Sequence, residues 1–161
     1  MTDRALVEAL RHSRLGAELD GDQLQTLAAN LAFRDLEPGQ VLVPQGTSDN
    51  HLYVIVQGAL SVVRDAGPAE RVTLLTLTAG DLVGELSFID ETPHYASLVA
   101  TSPTRVFGLE RQRLEALLLT EPLIVYRVMR AIVRTVHEIQ RRISMHATEL
   151  TNYIYKQHGK Y

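Results

Sequence analysis

The sequence predicts a mainly β domain, a sandwich or barrel, with helices before and after it. Three observations lead there. Residues 1–31 carry apolar residues at helical spacing. From about residue 32, short β-rich runs alternate with turn residues at intervals of about ten. Residues 123–158 contain neither proline nor glycine, so a long helix can end the chain. This divides the chain into N-terminal helices (1–31), a β domain (32–110) and C-terminal helices (111–161).

Taken in order, Leu6, Val7, Leu10 and Leu15 predict a first helix between Ala5 and Gly16. Asp20 or Asp22 can cap a second, which carries Leu24, Leu27, Ala28 and Leu31. Six β runs follow: Gln40-Val-Leu-Val, Leu52-Tyr-Val-Ile-Val, Leu60-Ser-Val-Val, Val72-Thr-Leu-Leu-Thr-Leu, Ser97-Leu-Val-Ala and Arg105-Val-Phe-Gly-Leu. Turn residues such as Gly58, Asp65-Ala-Gly-Pro and Ala79-Gly-Asp punctuate them. Residues Glu110 to Leu119 read as a short helix.

The last helix starts at Thr120-Glu-Pro, with Thr120 as the expected N-cap and Pro122 in the first turn, where a missing N–H costs nothing. Val125, Met129, Ile132, Val136, Ile139, Ile143, His146 and Leu150 alternate at spacings of four and three, a heptad seam with one polar position. Such a stripe serves one of two ends: packing on the chain's own β domain, or a helix–helix interface. Its narrowness over three heptads favours the interface, and its β-branched residues suit a parallel pair. A twofold homodimer through residues 121–150 is the expected assembly. Tyr153, Tyr155 and Tyr161 can pack at the helix end or fray.

Composition narrows the chemistry. With no cysteine among 161 residues, disulfides, thiolate metal sites and cysteine nucleophiles are excluded. The six histidines include no i, i+4 pair suited to a metal, and no G-x-S-x-G elbow or P-loop occurs. An enzyme is not expected. Nor is a membrane span or signal peptide, which leaves a cytoplasmic protein as the expectation. Charge is uneven. Residues 1–120 carry nine arginines against sixteen carboxylates, a net of −7, and residues 121–161 carry a net of +4. The scattered basic residues of the tail fit a solvated helix face better than a nucleic-acid surface.

The densest signal is residues 80–97, Gly-Asp-Leu-Val-Gly-Glu-Leu-Ser-Phe-Ile-Asp-Glu-Thr-Pro-His-Tyr-Ala-Ser. A Gly-Glu pair follows a turn, a short helical turn spans Leu86 to Ile89, and Pro93 returns the chain toward a strand at Ser97. Amides at such a helix start can face an anion. Glu85 can accept hydrogen bonds from sugar hydroxyls, or it can simply stabilise the turn.

Several elements in order resemble the cyclic-nucleotide-binding domains of bacterial catabolite activator proteins, cAMP-dependent protein kinase regulatory subunits and cyclic-nucleotide-gated channels. They are Glu37-Pro-Gly-Gln, Pro44-Gln-Gly, Asp49-Asn-His-Leu-Tyr-Val-Ile-Val-Gln-Gly, Leu77-Thr-Ala-Gly-Asp, Gly84-Glu-Leu-Ser-Phe-Ile-Asp, Thr92-Pro-His-Tyr-Ala-Ser and Val106-Phe-Gly-Leu-Glu-Arg. The resemblance spans residues 22–146. It implies an eight-stranded jelly-roll β-barrel with flanking N-terminal helices and a C-terminal lid or dimer helix. It also implies that Gly39, Gly46, Gly58 and Gly80 mark barrel turns.

In that family the phosphate-binding cassette reads G-E-x-(A/S)…P-R-(A/T)-A-(S/T). The glutamate accepts the ribose 2′-hydroxyl, the arginine pairs with the cyclic phosphate, and amides of the short helix complete the anion site. The resemblance therefore places ligand contacts at Val83, Gly84, Glu85, Leu86, Ser87, His94, Tyr95, Ala96 and Ser97. On the long helix it places Ile139 and Gln140 near the base, with Gln140 able to bond a purine edge or face solvent. One departure stands out: His94 occupies the arginine position, and Tyr95 follows it. A neutral imidazole cannot replace a bidentate guanidinium. A protonated one donates a single strong bond, which its reference pKa near 6.5 allows below neutral pH.

Three readings of the pocket follow: weakened cAMP or cGMP binding, binding of another anionic ligand such as a dinucleotide or a phosphorylated or carboxylated metabolite, or an assembly domain without ligand. About fifteen residues follow His146, too few for a helix-turn-helix, so DNA binding is not expected unless a module has been lost. The sequence reads as a regulatory sensor, acting as a homodimer on a protein partner that it does not name. The alternatives are a scaffold of the same fold and a truncated transcription regulator.

Overall fold

The computed structural model describes residues 3–158, with side chains from Asp3 to Glu149 and at Asn152. The side chains of Leu150, Tyr153 and Tyr155, and Tyr161 altogether, lie outside the described residues.

Helix α1 runs from Arg4 to Arg11, capped by Asp3, which accepts from the Ala5 amide at 2.9 Å. It stops short of the expected Gly16. The Ser13 hydroxyl turns back to the Leu10 carbonyl (2.7 Å), and the chain folds so tightly that a Cβ on Gly16 would lie 2.1 Å from that carbonyl oxygen. Only glycine permits this approach. Helix α2, Gly21–Ala28, is capped by Asp20 in a reciprocal capping box with Gln23. Leu31 does not belong to it; that residue opens the first strand.

Eight strands form two four-stranded antiparallel sheets. The first has the order β1 (Leu31–Leu36), β8 (Thr104–Glu110), β3 (His51–Gln57), β6 (Leu82–Val83). The second has the order β2 (Val41–Val43), β7 (Ser97–Ala100), β4 (Ala59–Gly67), β5 (Glu70–Thr78). This is the jelly roll that the resemblance implied. The residue patterns alone missed two strands, β1 and β6; β6 is two residues long, too short for a periodicity. Gly39, Gly46, Gly58 and Gly80 all sit in turns at positive φ.

Two hydrophobic layers hold the fold. Sheet β1-β8-β3-β6 buries Leu52, Val54, Phe107 and Leu109 against the helices, where Leu10, Leu27, Ile124, Val128 and Ile132 meet them. Its other face turns Tyr53, Ile55 and Val106 inward toward Leu60, Val62, Leu77 and Leu98 of the second sheet. Strand β3 is covered on both faces, which is why its apolar run is continuous rather than alternating.

After β6 comes the six-residue helix α3 (Glu85–Asp90), and after β8 a short helix α4 (Arg111–Ala116). Helix α5 runs from Pro122 to His158. Glu121, not Thr120, directly precedes it. Residues Ile124, Val128, Ala131, Ile132 and Thr135 bury one face on the protomer's own core. Ile132, expected on an intermolecular seam, is fully enclosed by its own chain. Val125 and Met129 are half-buried against the same core. Charged contacts tie α5 to the N-terminal segment: Glu18 pairs with Arg130 and Arg134, and Arg14 pairs with Glu138 and Asp81. Part of the tail's positive charge is thus neutralised internally. Among the described residues, no helix is long and apolar enough to cross a membrane.

Candidate functional site

Between the barrel and α5 lies a cavity of about 600 Å³. Its base is the loop from β6 through α3 to β7, its apolar wall comes from Val62, Leu75, Leu77, Leu82 and Leu98, and its roof is Val136, Ile139, Gln140, Ile143 and Ser144 of α5. That volume lies within the roughly 300–1,000 Å³ of small-molecule sites.

The loop is shaped by Gly84. This residue caps α3 in the left-handed region, at φ 84°. A Cβ there would lie 2.9 Å from the His51 carbonyl oxygen, so strand β3 and the cradle touch only because the side chain is missing. Helical bonding in α3 begins with the Phe88 amide to the Gly84 carbonyl at 3.0 Å. The amides of Leu86 and Ser87 are therefore left without a helical acceptor. Pro93 and His94 return the chain beside them. The His94 backbone is pinned to the 44–47 loop by two bonds, His94 N–H to the Thr47 carbonyl (2.9 Å) and Gly46 N–H to the His94 carbonyl (2.7 Å).

Three ionisable side chains line the cavity. Glu85 makes no ion pair among the described residues, and burial pushes its carboxyl above the usual carboxylate range. Tyr95 is 58% exposed at the rim, its hydroxyl pushed up first by burial and then by the charge of Glu85. The His94 side chain is nearly buried, with Nε2 3.9 Å from an Asp49 carboxylate oxygen, beyond hydrogen-bond reach and without another partner among the described residues. Burial lowers its pKa below the ordinary value, and the Asp49 charge only partly offsets this. The uncharged imidazole dominates at neutral pH in the unliganded protein.

Asp49 organises the wall behind His94. One of its oxygens accepts from the His51 amide (3.0 Å) and the other from the Tyr53 hydroxyl (2.8 Å). Burial and then this bond raise the Tyr53 hydroxyl well above its ordinary value. Sequence reading missed this Asp49–Tyr53–His94 cluster; the only trace of it is the clustering of Asp49, His51 and Tyr53 at the start of a strand.

The structure brings nearly all the expected contact residues together. Val83, Gly84, Glu85, Leu86, Ser87, His94, Tyr95, Ala96 and Gln140 all border the cavity. Ser97 does not; its hydroxyl accepts from the Gln45 amide at 2.8 Å and holds β7 to the neighbouring loop. Ser87 borders the cavity with its backbone, because its buried hydroxyl is bound to both the amide and the carbonyl of Asp49 (3.0 and 2.8 Å). Its role here is to position α3. Of the seam residues, Val136, Ile139 and Ile143 are in the cavity roof. No cluster of three metal-ligating side chains occurs among the described residues.

A jelly roll whose short internal helix borders a cavity, roofed by a long C-terminal helix, is an architecture with room for a small molecule. Comparison with known proteins says which family it belongs to. Residues 33–121 match the cyclic nucleotide-binding domain model, more than half of the chain, and the protein belongs to that family of non-catalytic regulatory modules. The chain is 29% identical over 120 residues to the cyclic AMP receptor protein of Thermus thermophilus, covering 74% of this chain and 56% of that one. It is 24% identical over 115 residues to a cAMP-dependent protein kinase regulatory subunit of Yarrowia lipolytica, covering 71% and 29%. Its fold matches the crystal structure of a cyclic nucleotide-binding domain from Methylobacillus flagellatus with a TM-score of 0.76, at 24% identity, over 85% of this chain and 77% of that one. The chain spans less than two thirds of the length of these two curated relatives.

Proposed function

We propose that the protein is a sensor which binds a cyclic nucleotide, cAMP or cGMP, or a related anionic ligand in the cavity under α5, and signals through a homodimer to a partner protein. The single observation that carries this is the convergence of Glu85, His94, the α3 amides and Gln140 on one largely apolar cavity. Glu85 would accept the sugar hydroxyl, the amides and His94 would face the phosphate, and Gln140 would meet the base edge. An anion beside His94 would stabilise its charged form, so the ligand would bring a proton with it.

In this reading the dimer forms along a face of α5 on which the exposed Tyr126, Val133 and Ile143 alternate with Met129, half-buried on the core, and with Val136 and Gln140 of the cavity roof. Tyr126, Met129, Val133, Val136, Gln140 and Ile143 follow each other at spacings of three and four. Tyr126, Val133 and Ile143 are 56%, 49% and 64% exposed. Because the same helix roofs the cavity, a ligand that touches it can bias the dimer geometry through differential contacts.

Calorimetric titration with cAMP and cGMP, at pH 6 and pH 7.5, tests the ligand. Micromolar binding that strengthens at pH 6, with a His94→Arg variant that binds without that pH dependence, supports the reading. No heat with either protein at either pH would leave the scaffold role in its place. A Val133→Glu/Ile143→Glu variant should run as a monomer in light scattering; an unchanged dimer would move the interface elsewhere.

A further inference from the structure

The barrel carries a second, smaller cavity of about 340 Å³, whose lining includes Phe33, Arg34, His51, Tyr53, Arg113 and one carboxylate, Glu110. It arises from the cross-strand register of sheet β1-β8-β3. Ala32 on β1 sits opposite Gly108 on β8, and Gly108 sits opposite Tyr53 on β3. Two adjacent positions thus have almost no side chain, and the sheet face is recessed there. The Tyr53 ring leans over Gly108, where a Cβ would lie 3.1 Å from it and 3.6 Å from the His51 ring, so the open part of the floor is at Ala32. His51, two residues along β3 on the same face, stacks on Tyr53 with centroids 5.7 Å apart and planes 14° from parallel.

Cations stand on opposite sides of this recess. Arg34 is two residues beyond Ala32 on β1, so it projects on the same face. It is exposed and makes no ion pair among the described residues, and its guanidinium reaches the Tyr53 hydroxyl. Its neighbour Arg105 is committed elsewhere, to a bidentate pair with Asp35 and a stack over Phe33. Arg113 enters from α4, held among the described residues by a loose contact with Glu110 at 3.6 Å, both side chains substantially exposed. Such a contact contributes little and yields readily to a better anion. The site therefore combines a recessed floor, a stacked ring pair as a wall, and two guanidiniums, one beside the Tyr53 hydroxyl and one loosely paired with Glu110.

We propose that this recess binds a small aromatic anion, its ring over Ala32 against the His51 and Tyr53 rings that cover Gly108, and its charge between Arg34 and Arg113. The site is distinct from the cavity under α5: the Tyr53 ring stands between them, its hydroxyl turned to Asp49 and its edge to Gly84. The inference does not depend on which ligand that larger cavity takes.

Titration of the ¹⁵N-labelled full chain with phenyl phosphate tests it, with inorganic phosphate and phenol as controls, without any nucleotide present. The expected result is saturable amide shifts in residues 30–34, 51–53 and 108–113, at least tenfold tighter than with either control. Arg34→Gln should weaken binding at least fivefold while leaving the spectrum otherwise intact. Ala32→Leu, at an exposed position, should fill the recess and abolish it. Shifts confined to residues 83–97, equal affinity for inorganic phosphate, or indifference to both substitutions would overturn the proposal.

Discussion

The two halves of α5 are built from similar residues and do different things. From Pro122 to Thr135 the helix buries Ile124, Val128, Ala131, Ile132 and Thr135 in the protomer core and is tied down by Arg130 and Arg134 to Glu18. From Val136 to Glu149 no residue is fully buried, and Val136, Ile139 and Ile143 look into the cavity instead. The first half is an anchor and the second a roof. A helix packed on the core at one end and held at the other mainly by the Arg14–Glu138 pair can respond to what lies beneath it, because the less buried end gains new contacts from a ligand.

The sharpest break of this comparison is Ile132→Ala set beside Ile143→Ala. The first should cost about 2–5 kcal/mol of stability, as deletion of buried aliphatic groups does. The second should stay within about 0.5 kcal/mol, as exposed positions do. Urea denaturation of both variants checks this; equal losses would abolish the distinction between anchor and roof.

Next in size is Glu85→Gln. Loss of a charged hydrogen-bond acceptor should weaken cyclic-nucleotide binding by roughly 10–100-fold, the equivalent of about 1.5–3 kcal/mol. Stability without ligand should hold or rise at neutral pH. Burial raises this carboxyl's folded-state pKa, so the folded protein favours the proton that glutamine mimics. Titration calorimetry and thermal melts read the two effects separately.

His94 sets a smaller, pH-dependent effect. Its folded-state pKa is lowered by burial, so the unliganded protein holds it neutral. The unfolded chain binds that proton first, at its reference value of about 6.5. The stability from this group is complete above that pH and declines as pH falls from there toward the lowered folded value. Ligand affinity should move the opposite way, strengthening several-fold from pH 7.5 to 6, because a bound anion favours the charged imidazole. His94→Gln should remove both dependences, seen in melts and titrations across that window. Smallest is Ile139→Ser in the roof, which should weaken nucleotide binding only a few-fold, on the order of one methylene-sized contact, with no change in stability.

Much of the fold was legible. The capping box at Asp20, the barrel glycines and the proline at the start of α5 are local devices whose partners lie within a few residues. The loop at Gly84 and Glu85 was legible as a candidate anion site for the same reason, one contiguous segment, and the family resemblance made it a cassette. What failed was whatever depends on distant chain. Ser87 and Ser97 match the cassette pattern, yet their hydroxyls are taken by Asp49 and Gln45, which lie 38 and 52 residues away. Ile132 fits a heptad as well as Ile143 does, and only packing separates them.

The sequence by itself determined a sandwich or barrel flanked by helices, where its turns fall, and that one loop carries a Gly-Glu pair before a short helix. These follow from local backbone preferences and side-chain identity; the jelly roll and the histidine at an arginine position were what the family resemblance implied. Tertiary structure alone decided which face of α5 is anchored and which roofs a cavity, and that His94 is held neutral by burial near Asp49. It also aligned Ala32, Gly108 and Tyr53 into a second recess. Burial, register and desolvation are set by residues far apart in the chain, and no spacing within the sequence encodes them.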